Sequence, residues 1–350
     1  MTVKTQIAER KGAGLSAESG RWSAGKLGSL VGICAAVIGV GVLAAICVGS
    51  DGLGWPGQAI RGFREESVFS AALIGAGLAA AGVAYQAILR NPLADPYLLG
   101  VSSGASLLSY AWQLPVFAAV AKGLGVFAPA SEETAAFIGA LAAVSVVLGL
   151  AGRRGRLEPV TLLLVGVIVN AVNGSIFLLI NAMVRQLPGN GGPMEFLVGN
   201  IRAISAGQWW AAFVVVGVGW VVLLYFSGQL NVAGLDDGEA ESLGVRIHRL
   251  RWIALAAASL MTAAAVAISG PIGFVGLVCP HVGRLLVGSD QRRLLPVSTA
   301  IGAILLMAAD GLCRYLSGAG RLGSVLPVGV LTGLIGGPFF LWLLFRQRKG

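Results

Sequence analysis

Residue types that could do covalent chemistry are present, but their spacing does not assemble a reaction centre. Gly20-Arg21-Trp22-Ser23-Ala24-Gly25-Lys26 has the glycine and lysine spacing of a phosphate-binding loop. Leu27 stands where that loop needs a hydroxyl for magnesium, and a polar tail rather than a strand precedes it, so the match is accidental. Gly318, Gly320 and Gly323 repeat a dinucleotide fingerprint inside a connection between two apolar runs, which is the wrong context. The two histidines, His248 and His281, form no H-E-x-x-H pair. Cys34, Cys47, Cys279 and Cys313 lie in or beside apolar runs without C-x-x-C spacing, as small packed hydrophobes do. The chain is therefore expected to hold no catalytic residue, no metal, no cofactor and no ATPase of its own.

The remaining polar chemistry sits inside apolar sequence. Asn170, Asn173 and Asn181 recur on roughly one face of a long apolar run. Polar groups in a membrane span usually face a bundle interior or a cavity, so a pathway-lining role is expected, with helix-to-helix hydrogen bonding as the alternative. Asp310 is the only acid that falls inside an apolar run. Local pairing is expected of it, and proton coupling is the rival role.

The elements that position these residues are membrane helices. Hydrophobic residues make up 56% of the 350 and charged residues 12%, about half the charged share of a soluble domain. Ten spans of near-bilayer length are expected, at 27–48, 67–89, 98–114, 134–152, 160–184, 207–227, 251–270, 272–287, 297–316 and 326–345. The third and eighth are short, and Pro271 and Pro280 suggest a turn and a kink around the eighth. Residues 1–26 read as a basic cytoplasmic tail, not a cleavable signal, with 27–48 a retained first helix. Residues 27–346 read as one transmembrane domain. Ten spans put both termini on one side, together with most of the 25 Lys and Arg residues, which satisfies the positive-inside rule. The net charge of +9 is then topological and does not imply nucleic-acid binding. The 52 glycines suit close helix packing in lipid, with Gly28-x-x-x-Gly32 and Gly329-x-x-x-Gly333-x-x-x-Gly337 as candidate faces.

Two cytoplasmic segments are well specified. In Asn91-Pro92-Leu93-Ala94-Asp95-Pro96 the prolines break the helix, and Asn91 and Asp95 can satisfy freed backbone groups in a tight turn. Residues 235–246 can form a short amphipathic helix: Asp236 and Asp237 favour its start, Gly244 its end, and Leu235, Ala240 and Leu243 one face. Such a helix has apolar area to bury against a partner protein or the lipid interface.

These segments, with Gly273-Phe274-Val275-Gly276-Leu277-Val278-Cys279-Pro280-His281 and Arg284, resemble the FecCD-type permeases from about Leu73 onward. These are the transmembrane subunits of ABC importers for ferric siderophores, haem and vitamin B12. The resemblance implies an all-α membrane protein of about ten transmembrane helices with type II ABC importer permease architecture. It implies a homodimer in the bacterial inner membrane, two copies of an ABC ATPase subunit carrying ATP and magnesium, and a periplasmic substrate-binding protein. The ATPase would couple through Asp236, Glu239, Ala240, Leu243, Gly244 and Val245. Binding-protein docking would fall to Arg61, Arg64 and Arg314, with Phe63 where the family carries proline. The pathway would involve Asn170, Asn173 and Asn181, with a gate near Pro159 and Val160; from charge and position alone, Arg185 and Arg202, which flank the outer loop, are expected as candidates to meet carboxylates of haem or a siderophore. Hydroxyls found at that gate in the vitamin B12 importer are missing, which favours an iron chelate, haem or a ferric siderophore, over a corrinoid. An ion-coupled secondary transporter is the more distant alternative.

Overall fold

A computed structural model describes residues 24–49, 52–114, 131–152, 157–184, 197–201, 204–235, 237–317 and 326–347. Among them lie eleven α-helices and one two-stranded hairpin. In chain order they are α1 (Ala24–Ile46), β1 (Val48–Gly49), β2 (Gly52–Leu53), α2 (Gln58–Ile88), α3 (Val101–Trp112), α4 (Glu132–Ala151), α5 (Pro159–Val184), α6 (Ala206–Leu230), α7 (Asp237–Ser242), α8 (Ile247–Ser269), α9 (Val275–Val287), α10 (Gln291–Ser317) and α11 (Val328–Gln347). The ten expected spans each receive a helix, and α7 is the expected short helix between the sixth and the seventh. Seven of the helices are long and apolar enough to cross a membrane.

The bundle is built around α2, which packs on α8, α9 and α10. At 31 residues it extends roughly 46 Å, longer than the expected span, because it starts at Gln58 and carries Arg61, Arg64, Glu65 and Glu66 in its first turns. Helices α1 and α5 lie at the periphery and are the least buried of the long helices. The β1–β2 hairpin turns the chain between α1 and α2.

Glycine sets the closest contacts, though not at the expected positions. Gly28, Gly32, Gly333 and Gly337 face open space within this single chain, and Gly329 lies against Gly199 and Pro271. The helix pairs close instead through Gly75 on Gly302, Gly82 on Gly276, and Gly104 on Gly139, where a Cβ would strike the facing carbonyl oxygen. A G-x-x-x-G spacing marks a face that could be approached; which face is used depends on the topology.

Candidate functional site

The short helix α7 is held by a charge clamp. Arg251, 1% exposed at the head of α8, donates to both carboxylate oxygens of Asp237 at 3.0 and 2.7 Å, and to the carbonyl of Leu157 at 3.0 Å. Arg90 reaches Asp237 from the other side at 2.6 Å and donates to the carbonyl of Ala233 at 3.0 Å. The Arg251 bonds first, and Arg90 with them, hold the Asp237 carboxyl below the usual carboxylate range. Gly244, with φ at +79°, closes the helix: Val245 N–H bonds the Ala240 carbonyl and Gly244 N–H that of Glu241.

The expected single apolar face of α7 divides in two. Ala240 is buried against the bundle, while Leu235 and Leu243 are exposed beside Glu239 and Glu241. The reason is length: α7 covers only Asp237–Ser242 of the expected 235–246, so Ala240 alone of the three lies on the helix and Leu235 and Leu243 fall just outside its ends. Asp236 lies outside the described residues. In the sequence Asp237 is legible only as a helix-start residue, and spacing points to neither Arg251 nor Arg90. The available signal was an arginine at the head of an apolar run.

The 91–96 turn follows α2 directly. Arg90 adopts φ +51° in the left-handed slot after the helix, and Asn91 N–H bonds the Gln86 carbonyl. Glycine usually fills that slot, because a Cβ costs roughly 1–2 kcal/mol there. Asn91 Oδ1 accepts from Leu93 N–H at 2.9 Å, and Asp95 Oδ1 caps the 96–99 turn of 3-10 helix by accepting from Tyr97 N–H at 2.9 Å. Pro92 is exposed, Ala94 and Pro96 are buried, and Pro96 supplies the first helical residue. Burial pushes the Asp95 carboxyl up to about 6, against the pull of the Tyr97 and Phe274 backbone N–H groups.

Beside this turn lies a cavity of about 780 Å³. Its wall includes Leu93, Asp95 and Tyr97 from the turn, Ser102, Ser103 and Ser106 from α3, Asn170, Asn173 and Phe177 from α5, and Phe274 and Phe340. Asn170 donates to the Tyr97 carbonyl at 3.1 Å, and Asn173 to Ser103 Oγ at 3.1 Å. Both side chains stitch α5 to its neighbours, as the helix-to-helix alternative expects, and both also border the cavity. Asn181 is buried, accepts from Tyr110 at 3.2 Å and is not part of the cavity wall. Pro159 and Val160 begin α5, with Val160 exposed. Arg185 and Arg202 lie outside the described residues.

Of the arginines expected at the outer rim, Arg64 and Arg314 lie near enough to act on each other's charge, and Arg61 is the exposed one. Arg61 is exposed, pairs with Glu65 at 2.7 Å and lies over the Trp55 ring. Arg64 is 5% exposed and donates to the Ile46 carbonyl at 3.2 Å, tucked under the hairpin at Gly49. Arg314 lies 2.9 Å from Asp310, which gives Asp310 a local ion pair. Arg64, one turn from Arg61 on α2, is buried because the hairpin closes over it. Among the described residues no group of His, Cys, Asp and Glu could hold a metal ion.

Comparison with known proteins agrees with this architecture. Residues 54–346 match the FecCD transport family. The cobalamin import system permease protein BtuC of Halobacterium salinarum is 38% identical over 325 residues, covering 87% of this chain and 83% of that one. The hemin transport system permease protein HmuU of Yersinia pestis is 36% identical over 294 residues, covering 82% and 83%. A solved ABC transporter described as of metal-chelate type, in an inward-facing conformation, superposes with a TM-score of 0.74. It is 26% identical and covers 91% of this chain and 99% of the other.

Proposed function

Because the chain belongs to the FecCD transport family, an integral membrane family of transport permeases, we propose that it forms the channel of a binding-protein-dependent ABC importer for a metal chelate. The cargo we favour is an iron chelate, haem or a ferric siderophore. The observation that carries the proposal is the outward presentation of Leu235 and Leu243 at the two ends of the clamped helix α7, next to a turn that walls a 780 Å³ cavity. An exposed leucine pair flanking a charge-fixed helix offers apolar area to a partner, and a cavity of that size is in the range that holds a small ligand.

In this reading α7, with Glu239, Ala240, Leu243, Gly244 and Val245, receives an ATPase subunit that binds ATP and magnesium. Asp236 would take part from just before the helix. Alternating access follows hydrolysis on that partner, and no bond of the cargo is made or broken. Two copies of the chain enclose the pathway in the inner membrane, with both termini and α7 cytoplasmic. Residues 27–346 act as one permease domain behind a basic tail. A periplasmic binding protein delivers the cargo to the outer rim, where Arg61 is the exposed one of the three candidate arginines. Cobalamin is the second reading, favoured by the cobalamin importer among the relatives.

The test is uptake into liposomes that hold the chain with its ATPase, with binding protein outside and ATP inside. Haem, a ferric siderophore and cobalamin are compared. ATP-dependent uptake of one names the cargo. Leu243→Asp should abolish co-purification of the ATPase, and uptake with it. Undiminished uptake by that variant would remove α7 from the docking surface.

A further inference from the structure

We propose that the 91–96 turn is a mechanical link between α7 and the cavity wall, with Arg90 and Tyr97 as positioning residues at its two ends. The proposal rests on the reading of α7 as the ATPase dock.

At the α7 end the link is the side chain of Arg90. Its guanidinium holds the Asp237 carboxylate and the Ala233 carbonyl, so it grips both α7 and the segment leading into it. Arg90 does this from a left-handed backbone position. A residue other than glycine persists in such a position when its surroundings hold it there. Here the reward for keeping a side chain is the grip on Asp237.

At the cavity end the link is the loop joining α8 to α9. Tyr97 Oη donates to the Ile272 carbonyl at 2.9 Å and accepts from the Ile272 N–H at 3.0 Å. The Phe274 backbone N–H acts on the Asp95 carboxylate and favours its charged form. The Pro96 ring lies against Gly276, where a Cβ would leave it no room. Three consecutive residues, Asp95, Pro96 and Tyr97, thus face three points on residues 272–276. Phe274 is itself left-handed, with φ +69°, and lines the cavity. Arg90 and Phe274 are the only non-glycine residues with positive φ among the described residues. They stand at the two ends of the same chain of contacts.

Between the ends the turn is stiff. Two prolines fix φ, and the Asn91 and Asp95 bonds close both of its halves. Asn170 holds the Tyr97 carbonyl from α5, so the cavity's other wall is attached to the same turn. A displacement of α7 is therefore passed to Phe274 and α5 through short, satisfied polar contacts. Coupling between distant sites needs contiguous contacts of this kind and direct evidence that both ends respond.

The experiment measures ATP hydrolysis and uptake in the same proteoliposomes, for the wild type and for Arg90→Gln, Arg90→Lys and Tyr97→Phe. The probe is whichever of haem, a ferric siderophore or cobalamin the wild type carries. Arg90→Gln and Tyr97→Phe should keep the ATPase bound and hydrolysing while uptake per ATP falls about fivefold or more. Arg90→Lys keeps the charge opposite Asp237 and should recover most of the ratio. A wild-type ratio in both Arg90→Gln and Tyr97→Phe overturns the link. Should Arg90→Gln shed the ATPase, Tyr97→Phe decides alone, because its hydroxyl touches only the loop at Ile272. Absence of ATP-driven uptake in the wild type would instead remove the docking reading, and the link with it.

Discussion

Asp95 combines two demands that pull its carboxyl in opposite directions. Its oxygen caps the 96–99 turn and the Phe274 N–H acts on it, both of which favour the charged form, yet burial dominates and raises it to about 6. An unfolded aspartate ionises near 3.8. The stability that the neutral group contributes is thus full below about pH 4 and is lost as pH rises through about 6. Asparagine offers the same acceptor without the charge. Asp95→Asn should therefore raise stability at pH 7.5 by roughly 1–3 kcal/mol, with the gain shrinking toward zero at pH 4. Thermal melts of the detergent-purified chain at the two pH values test this; an equal shift at both would mean that the charge is not what burial penalises.

Asn91 and Asp95 were legible as turn-makers, because their chemistry is local and spans two residues. The Arg251–Asp237–Arg90 clamp was not. Its partners lie 14 and 147 positions apart, and nothing in spacing or composition singles out which arginine turns inward. The same limit applies to Arg64, whose burial depends on a hairpin that closes over it.

At the scale of elements, sequence hydropathy located a helix for each expected span, seven of them long and apolar enough to cross a membrane, since apolar length is what a bilayer demands. It misplaced the start of α2, because a helix that leaves the apolar layer continues on propensity alone, without an apolar signal. It also could not say which glycines bring helices together. The α3–α4 pair shows what is at stake: a Cβ on Gly139 would strike the Gly104 carbonyl and Leu108. Gly149, on the same helix, faces open space. Gly139→Leu should cost about 1–3 kcal/mol, as other overpacked sites do, and should lower the melting temperature by several degrees. Gly149→Leu should leave the melt unchanged. Equal melts for the two variants would show that close approach at Gly104 is not what holds α3 to α4.

For the molecule as a whole, the question is what covers α5. This helix is among the least buried of the long ones, with Val160, Leu164, Ile168, Val172 and Leu179 exposed. Exposed apolar residues alone say little, because lipid is as apolar as leucine. The cavity adds the deciding argument. Half-buried Ser102, Ser103, Asn170 and Asn173 border it, and such groups are costly against hydrocarbon. A second copy apposed at α5 would enclose them in a shared aqueous path, whereas a lone chain would leave them facing lipid. Helix α1 exposes Val40 and Leu43 in a comparable apolar setting, and the cavity it borders with Met307 and Leu312 is apolar, so it suits lipid contact. The purified chain should therefore run as two copies in nanodiscs. Val172→Trp should weaken that association by about tenfold or more, while Val40→Trp should leave it intact, and both should keep the helical circular dichroism of the wild type. Mass photometry across a dilution series reads the outcome. Single copies of the wild type, or equal behaviour of the two tryptophan variants, would place the second copy elsewhere or remove it, and the polar border of the cavity would then need another partner to shield it from lipid.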